Sequence, residues 1–501
     1  MTARLVAASF ILAAPSQIIG WLARHPGLTG RALATTFANA AIGFVAGNLA
    51  AILLSAVAAV WPRSRATIAG LALLVFCLPL VATGPILRVL LGPGNGPQIW
   101  LAALAVYYTT LVPLMVGLRA VPAVWLDLVR SYGRGRRAEL IHIRARAALP
   151  YLFAGLQIAA PAAFLGAMVG EFTGAERGLG VLTIRFTRAM DLPALWAVAV
   201  VAALVSILSY AAFGRLAEAV LDEKPPVILS PPPEPDPYGW RAGWLAGLGR
   251  GALIAALALL VWWGLMEALG LNRFFAKRPG DLFEAFFLAP DAAATRGALL
   301  AALAQTGVYV LPGYLAGLAL GAVLAIFLTL LPALAAVAMP VAVALRAIPI
   351  VTTAPLVVLA LGRGAAGTIT LVAIMVFFPT FVACLHGLRQ APGPIMDLFD
   401  SYAAGPVSRL IHVRIPAMLP AFFAAARMSV PAAILAVTVV EWLATGRGIG
   451  SLMALSASVS DYDMLWAAVV VVAVLSALGY AAVSMIERRL LRLYAPEQVT
   501  T

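Results

Sequence analysis

Charge is what this chain has least of. Only 11% of its 501 residues are Asp, Glu, Lys or Arg, against roughly 25% in a soluble domain. A water-solvated surface of ordinary chemistry cannot be assembled from that supply. Lysine is nearly missing, with Lys224 and Lys277 alone, so arginine provides almost all of a net charge of +13. The arginines cluster between apolar runs, which is how the positive-inside bias distributes them, and this speaks against nucleic acid as a partner. The two cysteines, Cys77 and Cys384, sit inside apolar runs and read as small buried hydrophobes, not as a disulfide or metal ligands. His142 and His412 stand isolated among arginines, so loop packing is the expectation and no metal site is. No G-x-x-x-x-G-K-[ST] occurs and neither lysine could serve one. The chain is therefore expected to bind no nucleotide by a P-loop, to carry no cofactor and not to be an enzyme. Gly92–Gly96 lies between apolar segments and reads as a tight turn. Arg4 to Ala23 lacks the n-region and cleavage site of a removable leader.

What is present is apolar: 63% of residues, with a mean hydropathy of +0.99. Apolar runs recur along the chain, each long enough to cross a ~30 Å hydrocarbon core. In lipid every backbone amide must be satisfied within its segment, and no period-2 alternation suggests a barrel, so the runs are helices. The chain also repeats itself. One constant shift lays Asp127–Gly180 on Asp397–Gly450 without a gap, with 23 of 54 positions identical. Ser131-Tyr132 falls on Ser401-Tyr402, Leu140-Ile141-His142 on Leu410-Ile411-His412, and Arg144, Pro150, Pro161, Glu171 and Arg177-Gly178 on Arg414, Pro420, Pro431, Glu441 and Arg447-Gly448. The same offset pairs Pro79 and Pro85 with Pro349 and Pro355, Gly117-Leu118-Arg119 with Gly387-Leu388-Arg389, and Trp196 with Trp466. Shared composition scatters Ala and Leu matches; it does not align prolines, histidines and charges.

The expected fold is an all-α integral membrane protein of two tandem units. The first, residues 1–221, holds apolar helices near 33–60, 67–90, 99–118, 151–171 and 192–215. The second, residues 245–501, holds them near 303–330, 337–360, 367–388, 421–441 and 463–485, after an unpaired run at Leu245–Leu269. Residues 222–244 between them include Asp222–Trp240, with seven prolines, which reads as an extended exposed linker. Five crossings invert a chain, and the unpaired helix restores the orientation, so both units are expected to face the same way. The arginine-rich loops 119–150 and 389–420, the linker and Arg488-Arg489 then share the cytoplasmic side. Ala14-Pro15-Ser16-Gln17 is similar to Arg278-Pro279-Gly280-Asp281 after the unpaired helix. By that match the first unit lacks a leading helix and the total is 11 transmembrane helices; a crossing at residues 5–22 makes it 12.

A polar elbow standing between two membrane helices, at 119–150 and again at 389–420 and patterned alike in both copies, suits a surface against which a soluble partner pushes. Asp127-Leu-Val-Arg-Ser-Tyr-Gly133, then Ile143 and Ala147-Ala-Leu-Pro150, resembles the coupling-loop signature of ABC importer permeases, the EAA motif. Tyr151-Leu-Phe-Ala-Gly-Leu-Gln-Ile, Gly170-Glu-Phe-Thr-Gly-Ala-Glu-Arg-Gly-Leu-Gly180, Leu345-Arg-Ala-Ile-Pro349 and Thr353-Ala-Pro355 are similar to the nitrate/sulfonate/taurine branch of that family. The resemblance implies type I importer permease units whose coupling loops, with Asp127, Ser131, Tyr132 and Gly133 in one and Asp397, Ser401, Tyr402 and Ala403 in the other, each insert into one of two cytoplasmic ABC ATPase subunits. It implies an extracytoplasmic solute-binding protein as second partner and residence in the lipid bilayer of a bacterial inner membrane. It also implies one fused chain in place of a permease dimer, importing a small solute such as nitrate or an organosulfonate, in a branch that also includes carriers of thiamine precursors and flavins. Asp127 and Asp397 depart from the Glu of the signature, Ala403 from its glycine, and Arg146 from the proline that the second copy keeps as Pro416. Unequal docking of the two loops is the expectation from these departures.

The solute path is marked more faintly. Pro79/Pro85 and Pro349/Pro355 break matched helices, and broken helices are where transporters turn backbone and polar groups toward a cavity. Thr83, Arg346, Thr352 and Thr353 fall there. Arg346 reads equally as a functional charge or as one that snorkels to the cytoplasmic edge. Glu171 and Glu441 read as helix-end interface residues. The alternative function is a secondary transporter of two parallel six-helix halves. It needs no coupling loops and usually carries ionisable residues in mid-membrane, which the sequence does not display.

Overall fold

The computed structural model describes residues 13–121, 123–221, 239–331, 334, 350–362 and 364–494. Among these, all regular structure is helical. The first unit comprises α1 (Pro15–Arg24), α2 (Pro26–Val60), α3 (Arg65–Phe76), α4 (Leu80–Leu91), α5 (Gly96–Gly117), α6 (Ala123–Ser131), α7 (Leu149–Glu171), α8 (Leu179–Ala189) and α9 (Leu192–Val220). Then come α10 (Gly239–Ala268), α11 (Ala292–Thr329), α12 (Ile350–Leu361), α13 (Ala365–Arg389), α14 (Gly393–Ser401), α15 (Ile415–Val440), α16 (Ile449–Ser458) and α17 (Tyr462–Tyr494). Nine described helices are long and apolar enough to cross a membrane, and the α3–α4 pair adds a tenth if taken as one broken span. The expected crossing at 337–360 falls largely outside the described residues, as do 222–238 of the linker and the start of 5–22.

The α3–α4 break is sharp. The two segments meet at 91°, because Pro79 takes an extended conformation at the cap of α4 and lacks the N–H that would continue the helix.

Each unit is built on a three-helix core in which close backbone approach replaces the hydrophobic driving force that lipid removes. In the first, α2 crosses α5 through Gly43 and Gly47. A Cβ on Gly43 would lie 2.6 Å from the Ile99 carbonyl oxygen, and one on Gly47 2.5 Å from that of Ala103. In the second, α11 crosses α13 through Gly313 and Gly317, whose added Cβ atoms would lie 2.9 Å from the Ile369 oxygen and 2.6 Å from the Ala373 oxygen. These are the same two positions of the repeat. The third core helix, α7 or α15, packs on α5 or α13. Outward faces keep their apolar side chains exposed, among them Ile42, Val45, Leu49 and Leu53 on α2 and Leu311, Leu315 and Val323 on α11. That is how a surface solvated by lipid tails looks.

The units grip each other reciprocally. Helix α4 of the first packs against α15, α16 and α17 of the second, and α12 of the second packs against α7, α8 and α9 of the first. The unpaired α10 lies along α3, where Gly70 leaves room for Ile254. The resemblance of Ala14–Gln17 to Arg278–Asp281 has a structural counterpart. In both, a short helix begins with Pro after an N-cap whose backbone N–H is bonded by the residue three on, at 3.0 Å to Gln17 Oε1 and 2.8 Å to Asp281 Oδ2.

Candidate functional site: coupling loops and a buried latch

The polar elbows form helix–turn–helix hooks. Helix α6 ends at Ser131 and α14 at Ser401, and each serine hydroxyl donates to the carbonyl three residues back, Leu128 or Leu398, at 2.7 Å. Each helix then closes with paired reverse bonds: Gly133 N–H to Arg130 O and Arg134 N–H to Val129 O, matched by Ala403 N–H to Asp400 O and Ala404 N–H to Phe399 O. This closure places one residue in the left-handed region. Gly133 has φ of +70° and Ala403 has +50°. The signature glycine therefore serves backbone conformation; a Cβ there would meet nothing within 4 Å. Ala403 accepts the same conformation at a cost of about 1–2 kcal/mol, so the alanine does not push the second turn out of shape.

Beyond the turns stand Tyr132 and Tyr402, 77% and 80% exposed. Leu128 with Ile141, and Leu398 with Ile411, are exposed beside them. Repeated large apolar side chains on a polar elbow mark a contact surface. Asp127 and Asp397 are exposed on the same helices, and Asp127 pairs with Arg130 at 3.2 Å.

The brace inside each hook is an ion pair whose polarity is reversed between copies. In the first, Arg130 Nε meets Glu139 Oε1 at 2.9 Å, and Arg144 reaches the other Glu139 oxygen at 3.6 Å. The neighbouring carboxylates of Glu139 and then Asp127 push the Arg130 guanidinium further toward its charged form. In the second copy the two positions are Asp400 and Arg409, joined by the opposite pair. The surfaces differ accordingly. Arg134, Arg136 and Arg137 are exposed in the first loop, where the second has Ala404, Pro406 and Val407.

At the other end of α7 and α15, Glu171 and Glu441 are buried, each 1% exposed, and make a latch. Thr36 Oγ1 on α2 donates to Glu171 Oε1 at 2.6 Å and accepts the Leu179 N–H at 2.9 Å, while the Gly180 N–H donates to Glu171 Oε2 at 2.6 Å. The second unit repeats every bond: Thr306 to Glu441 at 2.8 Å, Ile449 N–H to Thr306 at 2.9 Å and Gly450 N–H to Glu441 at 2.9 Å. The threonine and the carboxylate thus hold the first two amides of α8 or α16 between them, at a helix end where an acceptor group is favoured. Gly178 and Gly448 are required by space and by φ, at +141° and +87°; a Cβ on either would lie 2.1 Å from the carboxylate. These glutamates are more than helix-end contacts, since each ties three elements of its unit together.

The broken-helix threonines lie on the helices wedged between units. Thr83 and Thr353 hold matched positions and bond their own backbones, to Pro79 O at 3.0 Å and Ile350 O at 3.2 Å; Thr352 is fully buried. Arg346 lies outside the described residues. One buried charge pair has no sign in the sequence. Arg427 on α15 and Glu487 on α17 meet at 2.8 Å, with side chains 6% and 1% exposed. Glu487 belongs to a Glu-Arg-Arg end that reads as headgroup-facing, and the first unit has Gln157 and Ala217 at the matched positions.

The family described as "Binding-protein-dependent transport system inner membrane component" matches residues 47–222 and again 317–492. The chain belongs to this family. Both ends of the two matches are separated by the offset that carries Asp127 onto Asp397, so the family unit and the sequence repeat coincide. Relatives agree. A "Probable ABC transporter permease protein" of Haemophilus influenzae is 33% identical over 177 residues, 35% of this chain and 72% of the relative. The "Formylaminopyrimidine transport permease protein ThiX" of Halalkalibacterium halodurans is 31% identical over 181 residues, again 35% and 72%. The "Taurine transport system permease protein TauC" of Escherichia coli is 22% identical over 236 residues, 47% and 86%. The permease is a multi-pass inner-membrane protein with two tandem copies of the family unit.

Proposed function

We propose that this permease is the complete membrane pathway of an ATP-driven importer, its two units standing in one chain for the two halves of a permease dimer. A separate pair of ATPase subunits docks on the hooks at 119–150 and 389–420, and an extracytoplasmic binding protein delivers the solute. The chain itself hydrolyses nothing. The observation that carries this reading is the duplicated hook with its exposed tyrosine. The reciprocal packing of α4 and α12 supports parallel units, in an 11-helix arrangement with residues 1–221 and 245–501 as the units and 222–244 as a cytoplasmic linker. Thr83, Thr352 and Thr353 are placed on the solute path because their helices lie between the units, and Arg346 is assigned to the same path from its place in the sequence beside Pro349.

For the solute, the oxyanion class, nitrate or an organosulfonate, draws support from relatives named for aliphatic sulfonates and taurine. A second reading, a pyrimidine precursor, is favoured by the higher identity of the formylaminopyrimidine relative. A thermal-shift screen of the companion binding protein separates them. The docking reading is tested in vesicles containing the permease and its ATPase. Tyr132→Ala and Tyr402→Ala should each lose most solute uptake while nucleotide hydrolysis continues, since a large aromatic at an interface is an anchor. Full uptake in both variants would refute it.

A further inference from the structure

We infer that the second unit carries an anion-binding site at the root of its hook, taking a phosphate-like oxyanion that bridges Arg389 and Arg414. The two arginines stand at the two ends of the second coupling loop, one closing α13 and the other just ahead of α15. With Leu328, Leu385, Leu388 and Met396 they line a cavity of about 300 Å³, which is within the size range of small-molecule sites.

The first unit shows what normally fills this place. There the matched cavity, lined by Arg119 and Arg144, has shrunk to about 10 Å³. Arg144 donates to the Leu118 carbonyl at 2.9 Å and reaches Glu139 at 3.6 Å, so a resident carboxylate and a backbone oxygen staple the two ends of the loop together. In the second unit the reversed brace puts Arg409 where Glu139 would be. Among the described residues no carboxylate lies within ion-pair distance of Arg389 or Arg414. Two arginines lining one cavity with no acid in its described walls call for an external oxyanion, which guanidinium groups bind through paired charge-assisted hydrogen bonds. An oxyanion between them would restore the staple that the first unit builds from its own residues. The same chemistry is offered by free phosphate and by an anionic lipid headgroup, and the apolar wall suits the latter's acyl chains.

The test uses the full chain in zwitterionic nanodiscs. Inorganic phosphate at constant ionic strength, with chloride as the control, should raise the thermal midpoint and slow amide exchange over residues 393–409. The half-saturating phosphate concentration should rise about tenfold or more in Arg414→Gln, the loss of one charge-assisted contact. Asp400→Arg combined with Arg409→Glu, which copies the first unit's brace and keeps the ion pair, is expected to abolish the response by supplying the carboxylate internally. In a second arm, phosphatidylglycerol replaces a fraction of the zwitterionic lipid. A response to this lipid and not to phosphate assigns the headgroup, and a response to phosphate assigns the free anion. No response to either, or an undiminished response in Arg414→Gln and in the Asp400→Arg/Arg409→Glu double variant, overturns the site. The binding arms do not depend on ATPase docking, so failure of the site and failure of the docking reading are read separately.

Discussion

Replacing Thr36 with valine is the sharpest probe of the latch. The change keeps the side-chain shape and deletes one hydroxyl that is 0% exposed, donating to Glu171 at 2.6 Å and accepting the Leu179 amide at 2.9 Å. A hydrogen bond to a charged group is worth about 1.5–3 kcal/mol, and an amide left buried without an acceptor costs about 1–3 kcal/mol. Partial relaxation of α8 offsets some of this, leaving about 2–5 kcal/mol, concentrated where α8 joins α7. The assay is hydrogen–deuterium exchange at the Leu179 and Gly180 amides, with the thermal midpoint as a global readout. A loss of about 2 kcal/mol corresponds to about thirtyfold faster exchange through local opening. Thr306→Val should do the same to Ile449 and Gly450. Thr35→Val is the control: it is half-buried and its hydroxyl bonds only its own helix, to Arg31 O at 3.0 Å, so a change within about 0.5 kcal/mol is expected. Unchanged protection at Leu179 in Thr36→Val would refute the reasoning.

Three further outcomes follow from the geometry. Gly317→Val drives a Cβ to within 2.6 Å of the Ala373 oxygen and should abolish folded protein in detergent-solubilised extracts, by separating α11 from α13. Arg427→Gln alone strands the buried Glu487 and should cost about 3–5 kcal/mol; adding Glu487→Ala recreates the Gln157 and Ala217 pair and should recover most of the thermal midpoint. Glu139→Arg sets like charges beside Arg130 and Arg144 and should lower uptake, whereas combining it with Arg130→Asp copies the second loop's brace and should restore it.

The architecture is readable in the sequence because the duplication supplies its own control. Prolines, histidines and glycines recurring at one constant offset announce two units, and the loop identities announce the hooks. The latch glutamates are visible, but not their partners. Ala32-Leu33-Ala34-x-Thr36 does recur as Ala302-Leu303-Ala304-x-Thr306, yet a threonine in an apolar helix gives no sign of which helix end it meets. The reversed brace is hidden for the opposite reason: Arg130 and Glu139 become Asp400 and Arg409, so a comparison by identity counts two mismatches where the structure conserves one contact. A glycine at the loop turn suggests close approach to a partner; its φ shows a helix cap, which Ala403 can also occupy. Arg427 and Glu487 are remote in sequence, and only packing of α15 on α17 brings them together. The hooks are the feature that decides between an ATP-driven importer and a secondary transporter.

The most direct test is the sidedness of the hooks. Cys77 and Cys384 are buried and free, so a background lacking both should be readily made. Single cysteines placed at Arg134 and Ser408 should resist a membrane-impermeant thiol reagent in intact cells, and both should react in inverted vesicles. In inverted vesicles, bound ATPase should protect both from the reagent. Labelling of one hook from outside would mean antiparallel units, and two docked ATPase subunits on one face would then be impossible.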